Sequence, residues 1–283
     1  TEGKAGTWDI GTTGLDVQAS STLTATSGTM YLAGNMDVDN NDSGVFNHND
    51  GLVVIDGAVV YTPDFTPEVD DDTNAAFYDL QVGSVSASGD FTTGSRMYIY
   101  HDLTFNSAGG TASMDMSVDE VRFIGSTGHM NLTNCDSFVP GTDRVIFYNN
   151  VTGEITSAGH SLPQLQLGAT AGNSATVTVN DQLDVLDLWA ASGSAASLDI
   201  TGQTVLCSGT WNLSDVDTFT STGSTVNFDG TAAQTVTSNS ETYNAVVVRN
   251  THAAAERFAD ALTKNPLKTT NPNSTMTFNA WYT

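Results

Sequence analysis

Positive charge is scarce in this sequence. Only 8 Lys and Arg stand against 32 Asp and Glu, a formal net charge of −24. Phosphate backbones and anionic bilayer surfaces repel such a chain, so neither nucleic acid nor a membrane surface is an expected partner. The acidity itself speaks to solubility, or to a saline habitat in which screening over a few ångströms makes self-repulsion cheap. Cysteine is nearly absent. Cys135 and Cys207 are too few for a disulfide framework. Cys207 alternates with Val205 in TVLC and reads as a small buried hydrophobe, whereas Cys135 lies in the turn-like TNCDS. A bridge between the two is the other reading.

No apolar run approaches the length of a membrane span, so no membrane insertion is expected. The opening residues TEGKAGTW contain no signal peptide, so export requires a leader that has been removed or lies outside this sequence. Also missing are a nucleophile elbow, a phosphate-cradling glycine loop and a C-x-x-C pair. The five histidines, at 48, 101, 129, 160 and 252, show no metal-ligand spacing and read as turn or surface residues.

What the chain does contain is short alternation, repeated. In STVNFDGTAAQTVT, Val226 and Phe228 point one way and Asn227 the other before Asp229-Gly230 turns the chain. Placing Val145–Leu167 beneath Val226–Val248 at a fixed offset of 81 residues aligns Val145 with Val226, Phe147 with Phe228 and Ile155 with Val236. Leu165 and Leu167 then meet Val246 and Val248. A third copy begins at Val53, Ile55 and Asp56-Gly57 and resumes at Leu80 and Val82, with about seven extra residues placed in TPDFTPEVDDDTN. Apolar positions persist while the residues between them drift, as inward-facing positions of stacked coils should.

The expected fold is therefore all-β: a β-solenoid, parallel β-helix-like, of about three degenerate repeats of 80–90 residues, each made of several coils of roughly twenty. Tandem β-sandwiches are the alternative. The expected organisation is 1–48, the closing part of an incomplete repeat; 49–138, a repeat with an inserted acidic loop; 139–220, a repeat; and 221–283, a repeat truncated at its C-terminus. Neither end shows a polar or helical cap, so the chain is expected to be a piece of a longer polypeptide or to have its ends covered by neighbouring subunits.

GSTVNFDGTAAQTVT followed by TYNAVVVRN (Gly223 to Asn250) resembles a repeat of large secreted or surface proteins of bacteria and archaea and of some viral appendages. That repeat runs G-S-T-V-x-F-x-G-T-x-x-Q-T-I-T, then F-Y-N-L-x-I-x-N. FYDLQV, from Phe77 to Val82, echoes only its second half, and the middle copy has lost the Gln-Thr pair and the aromatic residue. The resemblance implies a β-solenoid in an extracellular, cell-surface or virion setting, and it carries no catalytic residues.

Candidate chemistry is sparse. Asp37, Asp39 and Asn41 in DVDNNDSG have the alternate spacing of calcium ligands, but Asp42 stands where the turn glycine belongs and no Glu closes the loop, so a solvated acidic turn is the other reading. Calcium is the one cofactor considered. Asp70, Asp71 and Asp72 either bind a cation or keep an inserted loop soluble. Asp184, Asp187 and Asp199 are near in sequence, yet nothing marks any two as the acid and base of a polysaccharide-cleaving site.

Trp8, Trp189, Trp211 and Trp281 could stack on sugars, although Trp211 alternates with Leu213 and fits a core position better. Thr22–Thr26 and Thr176–Val179 form threonine ladders, but intermittent ones. Sequons at Asn41, Asn131, Asn150, Asn212 and Asn273 permit glycosylation. The sequence thus points to a non-enzymatic extracellular structural protein, a segment of a surface fibre, filament or virion appendage. Its expected partners are itself or neighbouring subunits through the solenoid ends. A glycan-binding adhesin or phage fibre module is the alternative, and a polysaccharide-degrading β-helix the third.

Overall fold

A computed structural model describes residues 6–39, 44–63, 75–116, 120–148, 150–239, 241–249, 268–269 and 276–278. The chain divides into two compact units, Thr1–Asp143 and Arg144–Thr283. Both are built from short strands with no α-helix among the described residues, and the fold is a parallel β-solenoid. Every described strand pair is parallel, which rules out the antiparallel sheets of tandem sandwiches.

The first unit makes a three-sided coil. One ladder stacks Thr7–Asp9, Thr29–Leu32, Leu52–Ile55, Asp79–Val82, Asp102–Phe105 and Thr127–Asn131. A second stacks Leu15–Val17, Met36–Val38, Ala58–Pro63, Gly89–Thr93, Ala112–Asp115 and Ser137–Val139. The third side is made by Thr22–Thr24 with Val45–Asn47, and by Met97–Ile99 with Val121–Phe123. Alternation explains the interior: Trp8, Met30, Val53, Leu80, Leu103 and Met130 occupy one register column over six coils. From Met30 to Met130 that column is fully buried. Each such side chain removed from water contributes about 1.5–3 kcal/mol. Phe46, Tyr61, Phe77 and Phe91 add a cluster with ring centroids 5.1–6.3 Å apart.

In the second unit Arg144–Phe147, Ser161–Leu167, Leu183–Ala190, Thr204–Cys207, Thr225–Phe228, Val246–Val248 and Met276–Phe278 form one ladder. Val151–Thr156, Ala175–Val179, Ala196–Asp199 and Val216–Thr220 form the other. The eight-residue strand Leu183–Ala190 forks the first ladder: its front half pairs with Thr204–Cys207 and its rear half with Trp211–Asn212. The fork delivers Trp211 to the interior. There it packs edge-on against Phe219 and Phe228, both 6.1 Å away, and its Nε1–H donates to Tyr243 Oη at 2.8 Å.

The repeat read from the sequence has a simple physical meaning. In each copy the two aligned halves are register partners on adjacent coils: Val53 with Leu80, Val145 with Leu165, and Val226 with Val246. The first copy keeps this register despite its extra residues. Corners are turned by asparagines in the left-handed region, including Asn49, Asn134, Asn150 and Asn239. At Gly83, φ is +79° and a Cβ would lie 2.3 Å from the Asn106 carbonyl oxygen on the next coil, so glycine is required there.

Candidate functional site

The residues singled out in the sequence are mostly spent on structure. Asp37 is exposed on Met36–Val38, in register with Asp16 on one side and Thr62 on the other. Asp39 ends that strand, its N–H donating to the Val17 carbonyl at 2.9 Å. Asn41 lies outside the described residues, as do Asp70, Asp71, Asp72, Trp281, His252 and Asn273. Asp184 accepts a hydrogen bond from the Ser161 hydroxyl at 2.5 Å, Asp187 one from the Thr210 N–H, and Asp199 one from the Thr201 N–H at 2.8 Å. Asp199 stands on the other ladder from Asp184 and Asp187.

Both cysteines are free and buried. Burial pushes the Cys135 thiol up to about 11 and the Cys207 thiol up to about 12, the opposite of what a nucleophilic thiol needs. Cys207 fills a core column between Val185 and Phe228. Trp211 is likewise core, fully buried.

One expectation is refined and one corrected. The threonines at Thr176 stay interrupted, by Ser197, but hydroxyls run on over four coils, because Thr152, Thr176, Ser197 and Thr218 share one register column. The next column outward holds Glu154, Thr178, Asp199 and Thr220, so carboxylates interrupt the hydroxyl surface.

The correction concerns the histidines. His101 and His129 are brought together by coil stacking along the ladder that runs from Thr7–Asp9 to Thr127–Asn131. Asp79, Asp102 and His129 project outward from successive coils, each beside an inward Leu80, Leu103 or Met130. His101 sits at the bend just before Asp102–Phe105, so its ring and the Asp102 carboxylate reach the same patch although the residues are adjacent.

Backbone bonds fix the arrangement: the His101 N–H donates to the Tyr78 carbonyl and the His129 N–H to the His101 carbonyl, both at 2.9 Å. His101 Nδ1 lies 2.8 Å from Asp79 Oδ1 and 3.4 Å from Asp102 Oδ2, and His129 Nδ1 lies 2.8 Å from Asp102 Oδ1. The Asp102 N–H also donates to Asp79 Oδ1 at 3.2 Å. Aromatic rings continue along the same line, one pair stacked and the others tilted. Tyr78 lies over His101 at 5.5 Å and 19°, His48 lies 5.5 Å from Tyr78, and Tyr100 lies 4.7 Å from His48. Burial lowers the pKa of His48 below 6.5, against the opposing charges of Asp50 and Asp79. The only sequence signal for this cluster is its spacing of about one coil, and coil length varies too much to be read without the register.

The second unit carries a groove of about 470 Å³ in which Leu206 and Val247 lie among Gln182, Thr204, Thr225, Asn227, Asp229 and Arg249. Asn227 is 6% exposed and its Oδ1 has no hydrogen-bond partner. Burial and the nearby Asp184 raise the pKa of Asp229, while Arg249 opposes the shift. No helix among the described residues is long and apolar enough to cross a membrane. Comparison of the chain with protein-family models, with curated proteins and with solved structures finds no match.

Proposed function

We propose that the chain is a non-enzymatic extracellular structural protein, an elongated β-solenoid segment of a surface fibre, filament or virion appendage that self-associates or continues end to end. The observation that carries this reading is where its carboxylates are spent. Asp136 accepts the Ala112 N–H at 2.8 Å, Asp181 the N–H groups of Ser157 and Ala158 at 2.8 and 2.7 Å, and Asp215 the Gly193 N–H at 3.0 Å. Each of these bonds joins one coil to the next, and those at Ser157, Ala158 and Gly193 do so at corners outside the strands. Acidic residues thus serve to stack coils as well as to solvate them, which suits a protein whose work is mechanical continuity. The resemblance of Gly223–Asn250 to secreted and appendage repeats supports the setting, on a cell or virion surface.

A second reading is a glycan-binding adhesin or phage fibre module. The groove favours it, because its Thr, Gln, Asp and Arg side chains are the donors and acceptors that sugar hydroxyls pair with. Sedimentation over a hundredfold range of protein concentration, beside a glycan array, separates the two. Concentration-dependent growth without glycan capture is expected of the structural reading; a non-associating chain that retains defined glycans would overturn it.

A further inference from the structure

We infer that His101, Asp102 and His129, with Asp79 beside them, form a binding site for one divalent first-row transition ion of the zinc type, which clamps two successive coils of the first unit. One ligand atom from each of His101, Asp102 and His129 falls within 4.8 Å of the other two. Tetrahedral coordination with bonds of about 2.0–2.2 Å sets its donor atoms about 3.3 Å apart. The successive contacts of 2.8, 3.4 and 2.8 Å along Asp79–His101–Asp102–His129 bracket that spacing.

The donor set selects the ion. Two imidazoles with carboxylate oxygens suit zinc, nickel, copper or iron, whereas calcium and magnesium take oxygen ligands throughout. A net charge of −24 also raises the local concentration of cations.

A second observation points the same way. Asp102 Oδ1 is shielded from solvent and makes no aligned hydrogen bond, although His129 Nδ1 is 2.8 Å from it. A shielded carboxylate oxygen without an aligned donor is costly, and a cation between it and the imidazole removes the cost. The four side chains are about a third exposed, leaving room for water to complete the coordination. Because ligands come from successive coils, occupancy stabilises the stacked state by mass action.

The test is calorimetric titration of the chelator-treated full chain with ZnCl2, and with MgCl2 and CaCl2 as comparison ions. The expected result is saturable uptake of one zinc ion per chain, a rise in melting temperature, and no saturable uptake of the comparison ions at the same concentrations. H129Q and D102N should each weaken zinc binding by more than about 100-fold, beyond the 10–100-fold that loss of an outer-shell partner costs. H160Q should bind as the unaltered chain does. Should either variant fail to fold, histidine NMR of the unaltered chain decides: zinc should shift the imidazole resonances of His101 and His129 first. No saturable uptake by the folded chain, equal affinity in H129Q, or shifts confined to the other histidines would overturn the assignment.

Discussion

The two units stack coils by the same backbone pairing but secure their buried polar groups in opposite ways. In the first, Glu120 is 2% exposed and lies against two cations: Arg96 Nε at 2.6 Å and Arg122, which donates through Nε at 2.8 Å and through Nη2. The Arg122 guanidinium also sits 5.6 Å from the centre of the Tyr98 ring, its register partner. In the second, the work falls to neutral amides. Gln234 accepts the Gly230 N–H at 3.1 Å and donates to the Cys207 and Gly209 carbonyls at 2.7 and 3.1 Å. Those carbonyls lie where the chain leaves Thr204–Cys207 and re-enters at Trp211, so this amide braces the fork. A buried charge cluster holds only while every member is present, whereas an amide brace carries a smaller desolvation cost and a smaller penalty on loss.

The contrast can be broken at its strongest point first. Glu120→Ala leaves two guanidinium groups without their counter-charge and should cost about 3–5 kcal/mol in urea unfolding. A cost below 1 kcal/mol would mean that water or other partners already satisfy those cations. Next, Gln234→Leu should cost about 1–3 kcal/mol, the penalty for leaving backbone groups unpaired in the interior. A neutral outcome would place the brace elsewhere in the fork. Smaller again, Asp181→Ala removes the acceptor for two N–H groups of the preceding coil and should cost about 1–2 kcal/mol. Hydrogen exchange should then quicken at Ser157 and Ala158 before it does elsewhere.

The smallest effects follow pH. Burial raises the folded pKa of Asp56 and Asp229 above 3.8 and of Glu241 above 4.5. Folding therefore favours their protonated forms, and the stability they contribute is present at acid pH and lost as pH rises through the folded values. His48 behaves in the reverse sense. Its folded pKa is below 6.5, so its contribution is complete above that value and lost as pH falls beneath it. Melting temperature should fall less steeply as pH rises above 3.8 in Asp229→Asn, and less steeply as pH falls below 6.5 in His48→Gln. Parallel curves for all three proteins would contradict both assignments.

Much of the fold was legible because alternation and coil length are local properties. Val226, Phe228, Val246 and Val248 announce two strands, and their recurrence at Val145, Phe147, Leu165 and Leu167 announces stacking. The glutamine of the G-T-x-x-Q-T string was visible as a motif, and its structural role appears only with Cys207 and Gly209 alongside. The fork in Leu183–Ala190 was not legible, since no Gly or Pro in that strand marks where pairing divides. Glu120 and Arg122 flank Val121 and read as outward-facing, yet Arg96 and Tyr98 from the preceding coil cover them. The His101–Asp102–His129 cluster was hidden for a related reason. Neighbours on a solenoid are one coil apart, and the coil from Asp102 to His129 is longer than the one from Leu80 to Leu103. Only the register shows which residues meet.

The central claim is that coils stack to build a continuous assembly, and negative-stain electron microscopy of the purified chain, read beside its mass in solution, tests it most directly. The account predicts fibres or ordered oligomers whose mass grows with concentration. Monodisperse single-chain particles at every concentration would contradict it.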